Sequence, residues 1–165
     1  MSAIREFGMK RENEERRDGG CAVVFDPTTQ TFAVGKKTKG GCYLLFGGGV
    51  DKEEDIQEGT LREVVEESGL YDFLHVEKID TVLTHYYNSL KKVNRVALAT
   101  CFLFILKSSD RKETCLEDHE RFSLTWVTAE DIISNWNAHN IHGDVDHWLY
   151  FFDMSLKRMT LLGYI

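Results

Sequence analysis

A chain of 165 residues with 20 basic and 27 acidic side chains has a formal charge of −7, which argues against general nucleic-acid binding, because that needs a basic face. Its length and its 42% hydrophobic content, 12% aromatic, suit one ordinary globular domain with a real core. No segment is apolar for long enough to span a bilayer. The four cysteines, Cys21, Cys42, Cys101 and Cys115, lack C-x-x-C spacing. With no apolar leader behind the charged N-terminus, they read as reduced thiols of a cytoplasmic protein.

Residues 1–18 are polar, with RENEERRD (11–18) mixing both signs of charge. They are expected to form an arm or short helix without chemistry, ahead of a single domain over 19–165. GCAVVFD (20–26) reads as a buried strand, Pro27–Thr29 as a turn and Gln30–Lys36 as the return strand of a hairpin. The loop from Lys36 to Gly41 is basic; its lysines are placed either to meet a phosphate or to be solvated. Cys42–Phe46 is a short apolar strand that runs into Gly47, Gly48 and Gly49. Three glycines suit a tight turn with positive φ and close backbone approach to a ligand.

A helix is expected from about Asp55 to Glu67. Asp55 favours the positive N-terminal end, and Gly69 is a natural left-handed stop. At 100° per residue, Glu63, Glu66 and Glu67 fall within about 100° of arc, so three carboxylates share one face. Leu61, Val64 and Val65 lie on the adjoining face and are expected to pack on a sheet. Glu63 and Glu67 form a like-charge pair that costs roughly 0.2–0.5 kcal/mol, which Arg62 offsets only in part. A hard divalent cation would offset much more, and oxygen ligands suit Mg²⁺ or Mn²⁺. A solvated acidic face is the alternative reading of three glutamates taken alone. Gly59, inside the helix, costs about 1 kcal/mol relative to alanine and points to close packing of helix on sheet.

Phe73–Tyr87 is strand material with a break near Asp80, and Asn88–Lys92 is a turn. VALATCFLFIL, within Val93–Leu106, lacks alternation and reads as a central strand buried on both faces. A polar loop (107–121) leads to a strand at Phe122–Val127 and a helix that starts at Ala129. Trp148, Phe151, Phe152, Leu156 and Met159 have the spacing of a final core-packed helix. His139, His142 and His147 lack a cysteine partner at zinc-ligand spacing and read as surface or capping histidines on that helix.

Gly48, Glu54, Arg62, Glu63, Val64, Glu66, Glu67, Gly69 and Leu70 fill every fixed position of G-x5-E-x7-R-E-U-x-E-E-x-G-U, with U aliphatic. A chance match at average residue usage is about one in a billion per start position. The stretch resembles the Nudix box, and a weaker likeness extends over residues 20–135. Phe46 stands where family members often carry proline, a departure that touches the turn and no ligand. The resemblance implies an α/β fold, a Nudix-type α/β/α sandwich with a mixed β-sheet. It implies Mg²⁺-dependent (or Mn²⁺-dependent) hydrolysis of the pyrophosphate linkage in a nucleoside diphosphate joined to a group X.

By that likeness Glu63, Glu66 and Glu67 are the metal ligands, joined by the Gly48 carbonyl. Arg62 orients a glutamate, Glu54 supports the network, and Gly47, Gly48 and Gly49 face the substrate. The base is a box glutamate or one from the loop holding Glu117, Asp118, His119 and Glu120, with Glu120 favoured. Tyr87, beside Tyr86, sits where a tyrosine accompanies dinucleoside polyphosphate substrates in some branches; ring packing in the strand is the alternative. The expected partner is a small nucleotide, with a tilt towards nucleoside triphosphates or dinucleoside polyphosphates and room for a homodimer. The rival reading is a non-catalytic nucleotide-binding or regulatory module on the same fold, or hydrolysis of ADP-ribose or nucleotide sugars.

Overall fold

The computed structural model describes residues 3–116 and 122–165. Two short strands lead, β1 (Glu6–Phe7) and β2 (Glu15–Arg16), followed by the hairpin β3 (Gly19–Asp26) and β4 (Thr31–Lys37). Then come β5 (Tyr43–Leu44), β6 (Phe46–Gly49), α1 (Ile56–Ser68), β7 (Phe73–Asn88) and β8 (Val93–Leu106). The chain closes with β9 (Phe122–Val127), α2 (Ala129–His139) and α3 (Asp146–Leu162). Among the described residues the strands form one mixed sheet in the order β1-β7-β8-β3-β4-β5, with β2 beside β8, β6 beside β3 and β9 beside β4. β3 runs parallel to β8 and antiparallel to β4 and β6.

Helices cover both faces. Val64 of α1 packs with Ala22, Val24, Phe46, Phe102 and Phe104 on one side. Ile132 and Trp136 of α2 and Phe151, Phe152 and Met159 of α3 pack with Val23, Phe25, Leu103 and Ile105 on the other. Alternating residues of β3 and β8 therefore feed two cores, which is why the apolar run of β8 shows no alternation. Asp55 caps α1 by accepting from the Glu58 N–H at 3.0 Å, and Gly69 (φ 78°) closes it by donating to the Val65 carbonyl. Thr128 and Asp131 form a reciprocal capping box on α2.

Several expectations need correcting. The N-terminal segment holds no helix among its described residues; β1 and β2 add to the sheet beside β7 and β8. Gly47–Gly49 are not a tight turn: they pair with Cys21–Gly19 as an edge strand. Leu61 is 37% exposed, because α1 buries Thr60, Val64, Glu67 and Ser68 instead. The close helix–sheet approach falls at Gly20, where an added Cβ would stand 1.9 Å from Thr60 Oγ1. At Gly59 that atom would meet the Glu54 carboxyl at 2.9 Å, so Gly59 makes room for a side chain rather than for the sheet. The break near Asp80 is a register shift between Lys78 and Asp80 within one continuous strand.

Candidate active site

The site grows from α1 lying along β6. The helix places Glu67 on its sheet face, 6% exposed, where Glu67 Oε1 accepts from the Gly47 N–H at 2.7 Å. One turn earlier, Glu63 lies against Gly48, and a Cβ on that glycine would sit 3.1 Å from the Glu63 carboxyl carbon. A side chain at 48 would occupy that space, so glycine there keeps the carboxylate in contact with backbone.

Arg62 gathers the other carboxylates. Its Nε and Nη2 donate to the two Glu54 oxygens at 3.1 and 3.4 Å. Its Nη1 donates to Glu63 at 3.1 Å and to Glu66 at 3.2 Å. The bond to Glu54 raises the Arg62 pKa, and the same bond from Arg62 holds Glu54 below the usual carboxylate range. Four charges in so small a space are stable because one forked cation answers three anions.

The predicted residues are thus only partly convergent. Glu63 and Glu67 face β6 and line a cleft of about 1170 Å³, together with Gly47, Gly48 and Gly49. Glu66, Glu54 and Arg62 stand outside the cleft wall and join it through the Arg62–Glu63 bond. Among the described residues no group of three or more His, Cys, Asp or Glu side chains is arranged to share one ion. Still, the donor set fits a hard divalent cation: the oxygens are carboxylate and backbone, two of the carboxylates lie against β6, and a third is tied to one of them. A cation at Glu63 and Glu66 would compete with Arg62. Tyr86 and Tyr87 both line the cleft; Tyr87 is 45% exposed, and Tyr86 stacks on His147 at 6.2 Å between ring centroids. Glu120, with Glu117, Asp118 and His119, lies outside the described residues.

The cleft takes in Lys37 and Lys39 of the basic loop expected either to meet a phosphate or to be solvated, and adds arginines that no local pattern pointed to. Among the described residues six basic side chains line it, Arg11, Arg17, Lys37, Lys39, Lys91 and Arg95, against three acidic ones, Glu63, Glu67 and Asp144. An acidic protein has a basic wall beside its box glutamates. Arg11 and Arg17 come from the segment expected to carry no chemistry, where RENEERRD holds Arg11, Arg16 and Arg17 among four acidic residues and marks none of them out. His147 is buried rather than a surface residue, and its burial pushes its pKa down to about 4. His139 belongs to α2, not to the final helix, and bonds the Asn135 and Gly40 carbonyls at 2.8 Å each.

A mixed sheet between one glutamate-bearing helix and a pair of core-packed helices, with a glycine edge strand under the glutamates, is the three-layer Nudix-type sandwich. The Nudix domain model matches residues 15–149, and the chain belongs to the Nudix family. The Nudix domain of Shewanella oneidensis NrtR, complexed with ADP ribose, is similar at a TM-score of 0.60 and 15% identity, over 88% of this chain and 90% of that one. A MutT protein from Methanosarcina mazei Go1 is similar at a TM-score of 0.57 and 18% identity, over 90% of this chain and 98% of that one. A Nudix hydrolase from Nitrosomonas europaea reaches 0.50 at 16% identity, over 80% and 85%. At these identities the likeness is one of fold. No curated protein matches the chain by sequence. No helix among the described residues is long and apolar enough to cross a membrane.

Proposed function

We propose that this protein hydrolyses the pyrophosphate linkage of a nucleoside diphosphate joined to a group X, with Mg²⁺ or Mn²⁺ as cofactor. The observation that carries this reading is the meeting of Glu63 and Glu67 with Gly47 and Gly48 at one end of a basic-walled cleft. Glu63, Glu66 and Glu67 would hold the ion with the Gly48 carbonyl. When bound, the ion neutralises charge on the phosphates and activates a water for attack on phosphorus. The chain's own residues do the positioning: Glu54 and Arg62 fix Glu63 and Glu66, and the Gly47 N–H fixes Glu67. The proton acceptor is a box glutamate or Glu120. The exposed Tyr87 ring, at the cleft wall, gives an aromatic surface for a base, which supports nucleoside triphosphates or dinucleoside polyphosphates.

The same cleft supports a second reading, in which the ligand is ADP-ribose, because the similar Shewanella domain is complexed with that compound. A turnover panel separates the two. With magnesium, nucleoside triphosphates, dinucleoside polyphosphates, nucleotide sugars and ADP-ribose are each incubated with the protein, and the products are resolved to show which phosphorus was attacked. Cleavage at a pyrophosphate bond is the expected outcome. Saturable nucleotide affinity with no cleavage of any compound would make the protein a binding module.

A further inference from the structure

We propose that the Arg17 guanidinium binds a phosphate of the nucleotide, on the face of β6 opposite the box glutamates. The proposal rests on the nucleotide reading of the cleft. Successive residues of a strand face opposite sides, and the glycines of β6 show what lies on each. The missing Cβ of Gly48 points at the Glu63 carboxyl, and that of Gly49 points at Arg17, 2.2 Å from its Nε. The glycine stretch of β6 therefore separates an anion from a cation, and only backbone of Gly48 and Gly49 stands between them.

The floor beside Arg17 is made of small residues. Thr84 opposes Ala97, and Ala99 neighbours Gly19, which opposes Gly49. Paired residues share a face, and Thr84, Ala97 and Ala99 all line the cleft. The Arg17 guanidinium stands beside Gly49 and lines the same cleft as Glu63, Tyr86 and Tyr87.

The cleft arginines differ in how tightly they are held. Arg11 pairs with Asp144 at 2.7 Å and Arg95 with Glu15 at 2.9 Å. Arg17 pairs with Asp51 at 3.6 Å, and the two side chains are 48% and 83% exposed. An ion pair so long and so wet is weak and yields readily to a phosphate, which accepts bidentate guanidinium bonds. The Arg17 backbone is nonetheless held, its N–H donating to the Val96 carbonyl at 3.0 Å. A fixed backbone with a loosely paired guanidinium describes a ligand-binding group better than a structural one.

The test is binding rather than turnover, which separates its fate from that of the hydrolase reading. Affinities for α,β-methylene-ADP and for adenosine are measured in magnesium buffer by titration calorimetry. Arg17→Gln is expected to weaken α,β-methylene-ADP by about 10- to 100-fold, the range for a charge-assisted bond, and to leave adenosine unchanged. Arg17→Lys should recover part of the loss. Gly49→Ala, which retains the charge but pushes the guanidinium aside, should weaken the analogue in the same sense. Arg16→Gln, whose guanidinium turns to Asp18 at 3.1 Å, should match wild type. Equal weakening of both ligands in Arg17→Gln would assign Arg17 a structural role. Unchanged analogue affinity in that variant, or no preference of the wild type for the analogue over adenosine, would overturn the proposal as well.

Discussion

Strand β6 is flanked by two regions that reach the same cleft by different routes. On one face, α1 brings Glu63 and Glu67 to the glycines from within a contiguous stretch of 13 helical residues. On the other, the N-terminal segment brings Arg17, but only because Glu15 and Arg16 pair with Arg95 and Val96, some 80 residues away. The helical side announces itself in spacing, because a helix converts sequence interval into direction. The strand side does not, because its position is set by a partner that no local pattern names. The less legible side supplies cations to the cleft, Arg11 and Arg17.

The largest expected effect falls on the helical side. Glu67→Gln keeps an oxygen to accept from Gly47 and should fold normally, yet turnover should drop by about 10²- to 10⁴-fold, read as initial rate at saturating substrate. Next, Arg62→Ala frees Glu54, Glu63 and Glu66 from their shared partner. Activity should fall by about 10- to 100-fold, as when residues orienting metal ligands are lost. Chemical denaturation should shift by no more than about 1 kcal/mol, since these pairs are partly exposed.

Gly20→Ala probes the contact that seats α1 on the sheet. Its new methyl would overlap Thr60 Oγ1, itself donating to the Ile56 carbonyl at 2.7 Å. A loss of about 1–3 kcal/mol in denaturant midpoint analysis is expected, partly recovered by adding Thr60→Ala. Absence of any loss would mean that the helix is not fixed by this approach.

The smallest effect concerns the arm. His85, buried on β7, bonds Glu14 at 2.6 Å and Glu6 at 2.7 Å, clasping the N-terminal segment to the sheet. Burial works against its charged form, but the two carboxylates outweigh burial and leave the His85 pKa raised. A raised folded-state pKa gives stability that is fully present below the unfolded value of about 6.5 and lost as pH rises through the folded value. Thermal melts of wild type and His85→Gln across neutral to alkaline pH should therefore converge as pH rises. A gap that stays constant would remove the charged clasp from the account.

Much of the fold was legible. The α1 boundaries followed from Asp55 and Gly69, whose capping chemistry is local. The β8 run followed from its apolar composition, and β9 from the six residues Phe122–Val127. What escaped depended on distant partners. Leu61 looked like a core residue, but the sheet took Thr60 and Glu67 instead, because Gly20 lets the helix sit close on that side. The three glycines looked like a turn because their pairing partner, Gly19–Cys21, is a strand of similarly small residues. Gly59 looked like a packing glycine, while its neighbour is the Glu54 carboxylate that Arg62 holds.

The central claim, that the box glutamates and the glycine strand form a divalent-cation site, is tested most directly by titrating Mn²⁺ into wild type and Glu67→Gln by calorimetry at neutral pH. Saturable binding in the wild type, sharply weakened in the variant while its circular dichroism is unchanged, is the predicted result. No binding to the wild type, or equal binding to both proteins, would contradict it.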